Sequence, residues 1–141
     1  SGLRAPKDMM QTLKGYIFSR PFMGERAPQH VQNIVIRDYC QRNGFKYSLS
    51  AAEYAMEGSC HILEQLVSQL DQYDGIVAYS LFQLPEEKNI RLGILGRVLD
   101  SQKTMHFAVE GIVVSTFVDL ENVNMLWQIK KFEHMCPKEL V

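Results

Sequence analysis

The chain has 141 residues and a formal net charge of -1, with 15 Lys and Arg against 16 Asp and Glu. Hydrophobic residues make up 46% and charged residues 22%, which is typical of one folded globular domain and excludes a disordered, collagen-like or disulfide-dense chain. The near-zero charge argues against a protein that coats nucleic acid or an anionic membrane over its whole surface.

The charge is unevenly distributed along the chain. Residues 1–48 carry eight basic and three acidic side chains, so this segment has a net charge of +5 and the remainder has -6. We therefore expect the basic segment to face a ligand or to be balanced by acidic segments in the fold.

The sequence shows no membrane, disulfide or metal signature. No stretch reaches the ~18 apolar residues of a membrane span, and the N-terminus lacks the long apolar core of a signal peptide. We therefore expect a cytoplasmic protein with no membrane partner. Cys40, Cys60 and Cys136 have no CxxC spacing, so we predict neither a disulfide framework nor a zinc site, and no cofactor.

The first half of the chain predicts two strands around a helix. Residues 15–18 predict a short strand, after which Pro21 and Gly24 interrupt regular structure. A helix is predicted from Pro28 to a C-terminal stop at Asn43-Gly44, and a second strand within 45–50. The predicted apolar face of this helix consists of Val31, Ile34, Val35 and Tyr39, and its polar face largely of Gln29, Gln32, Asn33 and Arg37.

The second half continues the alternation. A helix is predicted from about Gly58-Ser59, and the almost wholly apolar segment 75–82 is typical of a strand buried on both faces of a parallel sheet. Acidic residues at 86 and 87 resemble a helix start. A strand from 104 to 109, extending toward 114, and a final helix from about 119 to 134 complete the prediction.

This alternation indicates βαβ units with right-handed crossovers and a mostly parallel sheet. We predict one α/β domain over residues 14–136, a three-layer sandwich with resolvase-like or flavodoxin-like βαβ topology. An extension over 1–13, whose Ser1-Gly2 resembles the remnant of a cleaved tag, precedes it, and a tail over 137–141 follows. Ligands of such sheets bind beyond the carboxyl ends of the strands, which gathers 19–30, 51–58, 80–86 and 110–115 into one candidate site.

The most informative segment runs from residue 19 to 30. It places two arginines and a histidine before and at the start of a helix that has no Ser, Thr, Asp or Asn cap immediately before Pro28. Uncapped helix amides beside arginine form a good anion site. The alternative is a structural loop in which Arg20 or Arg26 pairs with Glu25, Glu53 or Glu57. The candidate ligand-binding residues are Ser19, Arg20, Arg26, Gln29, His30, Asn33, Glu53, Tyr54, Ser80 and Gln83, and Ser19, His30 and Glu53 are also the candidates for a catalytic role.

Several of these candidates also have an ordinary structural interpretation. Glu53 as a general base would need a raised pKa, and an ion pair or hydroxyl recognition is the alternative. Ser80 and Gln83 suit ligand binding at a strand end, but a buried serine bonded to backbone is as compatible. Cys60 is interpreted as a passive thiol, and the spacing of His30, His106 and Glu110 gives no support for a metal site.

The order of elements and the stretches 15–20 and 79–86 resemble the catalytic domain of the serine recombinases, over roughly residues 14–120. In that family a Tyr-x-Arg-Val-Ser strand supplies the serine that attacks DNA phosphate, and Asp-Arg-Leu-x-Arg supplies phosphate-binding arginines. In the first motif of this chain, Phe18 stands at the position of the arginine and Arg20 at that of the serine. In the second motif, Phe82, Gln83 and Glu86 replace the Asp, Arg and Arg. We therefore expect no strand exchange, no nucleic-acid partner and no DNA-reading segment after the domain.

The same resemblance implies self-association, because recombinases of this type dimerise through the long helix after the fourth strand. The corresponding candidates on the final helix are Val123, Leu126, Trp127, Ile129, Lys130 and Lys131. We accordingly expect a homo-oligomer.

A longer set of stretches, 14–24, 28–33, 50–56 and 79–85, is similar to the sporadic carbohydrate cluster proteins, small bacterial proteins encoded among surface-sugar genes. The resemblance implies an accessory role in surface-carbohydrate biosynthesis, including nonulosonate-like sugars. Two hypotheses follow. The chain binds or acts on an anionic or nucleotide-linked sugar at the strand ends, or it is a non-catalytic module that dimerises or docks on a sugar-biosynthesis enzyme.

Overall fold

The computed structural model describes residues 10–53, 56 and 59–135. The strands are β1 Thr12–Ile17, β2 Lys46–Ala52, β3 Gly75–Ala78, β4 Thr104–Phe107 and β5 Ile112–Val114. The α-helices are α1 Gln29–Asn43, α2 His61–Ser68, α3 Lys88–Asp100 and α4 Phe117–Met135, and short 3-10 helices cover Leu70–Gln72 and Leu81–Gln83. The first strand thus begins at Thr12, two residues before the predicted domain start. Among the described residues, no helix combines the length and the apolar composition that crossing a membrane requires.

The strands form one sheet in the order β2-β1-β3-β4-β5, parallel except for β5. The connection from β1 to β2 runs one way across the sheet, and the next two run the other way, so right-handed crossovers put α1 on one face and α2 and α3 on the other. The core follows this division: Leu13, Ile17 and Val77 pack with α1, whereas Tyr16 and Ile76 pack with the other helices. The predicted three-layer, mostly parallel α/β fold is confirmed.

The buried face of α1 differs from the predicted one. Its buried residues are Gln32, Ile36, Tyr39 and Cys40, and of the predicted apolar face only Tyr39 is among them. Ile34 is 62% exposed. Gln32, Ile36 and Cys40 recur every four residues and so share one side of the helix. The prediction was wrong because it assigned Gln32 to solvent, whereas the fold supplies hydrogen-bond partners for its amide.

Two predicted strand ends are also corrected. β3 stops at Ala78, because the Ser80 hydroxyl accepts the N–H of Phe82 and the Gln83 side chain accepts the N–H of Ser80, which starts a 3-10 turn. The segment from 104 to 114 is a hairpin rather than one strand, and its turn contains Gly111 with a positive φ of 66°. The predicted stop of α1 is confirmed, since Gly44 ends the helix in the left-handed conformation.

Candidate functional site

A pocket of about 320 Å³ opens beyond the carboxyl ends of β1 and β3. These neighbouring strands send their connections to opposite faces of the sheet, and such a switch point leaves a crevice in open α/β folds. The loop after β1 contributes Phe18, Arg20, Pro21, Phe22 and Met23, the loop after β3 contributes Phe82, Gln83, Leu84, Pro85, Glu86 and Glu87, and Cys60, Ile90 and Trp127 complete the lining. This pocket lies at the strand ends, where the sequence predicts a ligand site.

Four aromatic side chains, Phe18, Phe22, Phe82 and Trp127, contribute to the walls of this pocket. The ring centroids of Phe18 and Phe22 lie 5.6 Å apart, and the guanidinium carbon of Arg20 lies 4.2 Å from the Phe18 centroid. Trp127 of α4 forms another wall, and its Nε1 is buried without a hydrogen-bond partner among the described residues. A site of this kind presents flat apolar surfaces with a positive charge at one edge.

Arg20 is fixed in place by the chain that precedes α2. Its Nη2 donates to the carbonyl oxygen of Ser59 at 2.7 Å, and its Nη1 donates to that of Met56 at 3.4 Å. The Phe18 ring, whose centroid lies 4.2 Å from the guanidinium carbon, adds a cation–π contact to the same group. Arg20 therefore brings an oriented positive charge to the pocket, and it also ties the β1 loop to the start of α2.

Glu53, which follows β2, is almost fully buried and caps α2. Its carboxylate accepts hydrogen bonds from the Tyr16 hydroxyl at 3.0 Å, the Ser59 hydroxyl at 2.8 Å, and the backbone N–H groups of Ile62 and Leu63 at 3.1 and 3.2 Å. Burial acts to raise the pKa of Glu53, but the hydrogen bonds that it accepts outweigh burial and leave the pKa below its ordinary value. The carboxylate thus stays ionised at the positive end of the helix dipole.

This arrangement decides between the two interpretations of Glu53. A general base working near neutral pH needs a raised pKa, whereas the pKa of Glu53 is lowered. Its oxygens are also engaged by four groups of the protein. Glu53 therefore acts as an internal anion that anchors α2, and the amides at the start of this helix are already occupied.

A buried network of polar side chains lies beneath the loop after β3. The Ser80 hydroxyl donates to Glu110 Oε2 at 2.8 Å, and Gln83 Oε1 accepts the N–H of Ser80 at 3.3 Å. Gln83 Nε2 donates to Gln32 Oε1 at 2.9 Å, and Gln32 Nε2 in turn donates to the carbonyl of Phe18 at 2.7 Å. Ser80 and Gln83 thus hold the loops after β1 and β3 together, and Gln83 lines the pocket as well. Sequence reasoning missed Gln32, whose four-residue spacing from Ile36 was the available signal.

The remaining candidates lie away from this pocket. Arg26, Gln29 and His30 are exposed around the start of α1, where Pro28 provides no side-chain cap. Asn33 Oδ1 accepts the Tyr47 hydroxyl at 2.9 Å. Ser19 is half-buried beside Arg20 but is not part of the lining. Tyr54, Glu57 and Cys136 lie outside the described residues. Of the described candidates, the structure therefore places Arg20 and Gln83 in the lining of this pocket and leaves the others outside the lining.

Three of the positions that the sequence resemblance assigns to the recombinase motifs are described here. Phe18 is buried in the core, Gln83 belongs to the polar network, and Glu86 adds a negative charge to the pocket.

Burial, together with a hydrogen bond to Glu64, raises the pKa of Cys60 to about 11, so this thiol is protonated near neutral pH. The described part of the chain contains no cluster of three potential metal-ligating side chains.

Helix α4 connects both pocket loops to the body of the domain. Lys131 Nζ lies 2.9 Å from Glu86, and Lys130 Nζ lies 3.6 Å from Glu25. The loop after β3 is also fixed by Arg91, a buried residue of α3. Arg91 donates to the carbonyl oxygens of Pro85 and Glu86 at 3.0 Å and to Asn124 Oδ1 of α4, and its guanidinium carbon lies 3.9 Å from the centroid of the Trp127 ring. The pocket is therefore closed on one side by α4 and is held there by charged groups.

This fold is that of a resolvase-like α/β domain. The N-terminal catalytic domain of TP901-1 integrase superimposes with a TM-score of 0.60 and 18% identity, covering 85% of this chain and 95% of that one. A resolvase family site-specific recombinase from Streptococcus pneumoniae gives a TM-score of 0.57 and 13% identity, covering 86% and 89%. No family model and no curated protein matches the chain. The predicted resolvase-like fold is thus confirmed, whereas these comparisons do not support the resemblance to carbohydrate cluster proteins.

Proposed function

We propose that the protein binds an anionic or nucleotide-linked sugar in the pocket beyond β1 and β3. In this proposal it serves bacterial surface-carbohydrate biosynthesis of the nonulosonate-like type as a cytoplasmic accessory protein. The observation that carries the proposal is the pocket itself, in which an oriented guanidinium adjoins aromatic walls at a switch point. Such a site suits a ring that carries both apolar faces and a negative group.

The polar groups of the pocket support binding rather than reaction. Glu53 is an engaged, ionised carboxylate, and Cys60 is a protonated thiol, so neither is prepared as base or nucleophile. Arg20 brings a cation to the pocket that can orient an anionic group, whereas the amide of Gln83, which also lines the pocket, is engaged by Ser80 and Gln32 and shapes the wall. The biosynthetic context rests on the sequence resemblance alone.

The proposal includes the absence of a nucleic-acid partner. Phosphodiester attack needs an activated nucleophile together with cations that stabilise the developing charge. The positions of the recombinase motifs hold Phe18, Phe82, Gln83 and Glu86 instead, which removes positive charge and adds negative charge. Tight binding of duplex DNA at physiological salt would contradict this part of the proposal.

Thermal unfolding with a ligand panel tests the binding proposal. Sugar acids, nucleotide sugars and neutral sugars are added to the wild type, and a ligand that binds only the folded state raises the melting temperature. The shift should disappear in Arg20→Ala and persist in Arg26→Ala, a matched removal of an arginine from the same loop outside the pocket. If no member of the panel shifts the wild type, or if both variants behave alike, the proposed site is wrong.

A second candidate function, that of an interaction module, is favoured by the outer face of α4. Val118, Met125, Ile129 and Phe132 are exposed and, with Asn122, follow one another at spacings of four and three residues. This stripe lies opposite the buried face of the same helix. An apolar seam with this spacing and one polar position is typical of helices that pair with each other. We therefore propose a second copy of the chain as the partner of this stripe.

The residues predicted for self-association fall into buried, ion-paired and exposed groups. Val123 and Trp127 are core residues, and Lys130 and Lys131 pair with glutamates of the pocket loops. Leu126 and Ile129 are exposed, so of the predicted residues these two are the ones available for association through apolar contact.

Light scattering after size exclusion measures the association state. The wild type should elute as a dimer, and Ile129→Glu should be monomeric and should still unfold cooperatively, with a melting temperature lowered only by the lost contribution of dimer formation. Leu49→Glu is the matched control, because Leu49 is 73% exposed on the edge strand β2 and lies away from α4. A monomeric wild type at high concentration would reject self-association. Co-elution of the wild type, but not of Ile129→Glu, with a sugar-biosynthesis enzyme would then support docking instead.

A further inference from the structure

We infer that a groove between α3 and α4 is a separate binding site, which accepts a small carboxylate carried by an apolar chain or ring. The groove has a volume of about 570 Å³, and Trp127 lies between it and the strand-end pocket because it lines both. The inference does not depend on the proposed sugar site. It follows from a buried guanidinium, an unpartnered indole N–H, the charge of the lining and the apolar side chains of the rim.

Arg91 of α3 lines this groove as a buried cation. It is only 1% exposed, and no carboxylate of the described residues forms an ion pair with it. Its hydrogen bonds go to neutral acceptors, which are the carbonyl oxygens of Pro85 and Glu86 and the side-chain oxygen of Asn124. A buried charge is costly without an opposite charge, and its field extends further in a low dielectric than in water. A carboxylate in the groove would therefore compensate Arg91.

The indole of Trp127 adds a hydrogen-bond donor that lacks an acceptor. Trp127 is 4% exposed, and its ring centroid lies 3.9 Å from the guanidinium carbon of Arg91. Its Nε1 is buried and has no hydrogen-bond partner within the described part of the chain. Buried N–H groups are nearly always paired with a protein group or with water. A cation and an unpaired donor thus lie together in this wall, and an ionised carboxylate is an acceptor that suits both.

The charge of the lining also favours an anion. Lys88, Arg91 and Lys131 bring three positive charges, whereas Glu86, which pairs with Lys131 at 2.9 Å, brings one negative charge. Glu87 precedes Lys88 but lines the strand-end pocket and not this groove. Even if Glu87 is counted, the groove stays positive and attracts a ligand with a single negative charge.

The rest of the lining suits an apolar body rather than a sugar. Phe132 and Met135 are 71% and 69% exposed at the end of α4, and they line the groove beside Trp127. Gln128 is the only neutral amide side chain among the described residues of the lining, so several hydroxyls would find few partners. The volume lies within the roughly 300–1,000 Å³ of small-molecule sites. The rival occupant is a second copy of the chain, because Phe132 also belongs to the outer stripe of α4.

A chemical-shift titration with matched acids and amides tests the inference. The chain has one tryptophan, so Trp127 gives the single indole N–H signal of the proton–nitrogen spectrum. The probes are octanoate with octanamide, and 2-naphthoate with 2-naphthamide. In at least one pair the carboxylate should shift this signal and bind about tenfold more tightly than the amide, because charge-assisted hydrogen bonds are the stronger ones. Equal affinities within both pairs, or no binding by any probe, would overturn the inference.

The backbone signals locate the bound probe. The carboxylate should shift the N–H signals of Lys88, Gln128 and Phe132 more than those of Arg20 and Met23, which belong to the strand-end pocket. Shifts concentrated at Arg20 and Met23 would place the probe in that pocket and overturn the inference. Because no sugar is used, a failure of the proposed sugar site leaves this result unaffected.

Substitutions at the rim test the two parts of the ligand separately. Phe132→Ser should weaken binding of the carboxylate, whereas Phe117→Ser, a matched change at a 60% exposed phenylalanine at the other end of α4, should not. Lys88→Gln should narrow the difference between acid and amide, and Lys46→Gln on the edge strand β2 should preserve it. If the members of each pair of variants behave alike, the probe binds elsewhere and the inference is wrong.

The variant Ile129→Glu tests the rival occupant. Ile129 is not part of the groove lining, so this variant should still prefer the acid to the amide, as the wild type does. Binding by Ile129→Glu but not by the wild type would show that a second copy fills the groove, and it would overturn the inference while supporting self-association.

Discussion

Acidification should lower the free energy of unfolding through one buried side chain, His106 on β4. Its imidazole Nδ1 lies 2.7 Å from the hydroxyl oxygen of Tyr39, and its Nε2 lies 2.9 Å from Thr104 Oγ1. The ring of Phe45 packs against it at a centroid distance of 4.9 Å. Burial lowers the pKa of His106 from 6.5 to about 4, because the charged imidazolium would lose its hydration in this environment.

The sign and the size of the effect follow from proton binding. The unfolded chain takes up the proton near pH 6.5, but the folded protein does so only near pH 4. Between these values the unfolded state holds more protons, so the folded state loses stability as the pH falls. One proton corresponds to about 1.4 kcal/mol for each step of one in pH. The full window therefore amounts to about 3 kcal/mol, and above pH 6.5 this group has no further effect.

Urea unfolding from about pH 5 to 8 measures this contribution. The wild type should lose stability steadily below pH 6.5, whereas His106→Gln should lose much less over the same interval, although it starts less stable at pH 7. The interval stops at pH 5 because Glu53, with a pKa lowered from 4.5, loses its stabilising charge only at lower pH. His30→Gln, a change at an exposed histidine, should follow the wild type. Parallel curves for His106→Gln and the wild type would refute the burial argument.

Three further substitutions test contacts around the pocket. Glu53→Gln should lower the free energy of unfolding by about 1–3 kcal/mol, since a charged acceptor at a helix start becomes a neutral amide, and urea unfolding should show no comparable loss for Glu64→Gln on the exposed side of α2. Arg91→Leu should cost about 2–4 kcal/mol in the same assay because it leaves its buried acceptors unpaired, and a neutral result would show that the neighbouring apolar groups repack around leucine. Gly24→Ala should cost about 1–2 kcal/mol, because Gly24 has a φ of 76° and an added Cβ would lie 2.8 Å from His134 Cε1. The double variant Gly24→Ala/His134→Ala should recover only part of the melting temperature that Gly24→Ala loses, because the strain of alanine at positive φ remains. Complete recovery would show that the backbone conformation contributes nothing to the loss.

The secondary structure was predictable from the sequence wherever it depends on the composition of a short segment alone. The strand predicted within the apolar segment 75–82 and the Asn43-Gly44 stop depend on local composition; the stop is confirmed, and the strand is confirmed over 75–78 but not beyond. The error on α1 arose because a polar side chain finds partners from distant segments, whereas two strand ends were misplaced because local turns at Ser80 and Gly111 end the strands. Gln32 is buried because its side-chain amide hydrogen-bonds with the backbone carbonyls of Phe18 and Ala27 and with the side chain of Gln83. The residues of α1 alone do not indicate these partners.

The site was predictable in location but not in the roles of its residues. The strand-end rule correctly brought Arg20, Glu53 and Gln83 to one end of the sheet. It could not show that the backbone amides of α2 would engage Glu53, since Ile62 and Leu63 reach the carboxylate only through the tertiary fold. The sequence likewise did not predict that Trp127 of α4 lines the pocket, because its position depends on how the last helix packs on the rest of the domain.

The resolvase-like fold positions the strand-end pocket, and the side chains decide which groups line it. At 13–18% identity the similar structures share the fold with this chain, and this level of similarity says nothing about the groups that line the pocket. In this chain one helix serves both candidate functions: the inner face of α4 presents Trp127 to the pocket, and its outer face presents Ile129 to solvent. Because Lys130 and Lys131 also link α4 to the two pocket loops, a shift of this helix on self-association would move a wall of the pocket. The two functions are therefore compatible, and thermodynamic linkage then requires that a ligand which alters self-association binds the dimer and the monomer with different affinities.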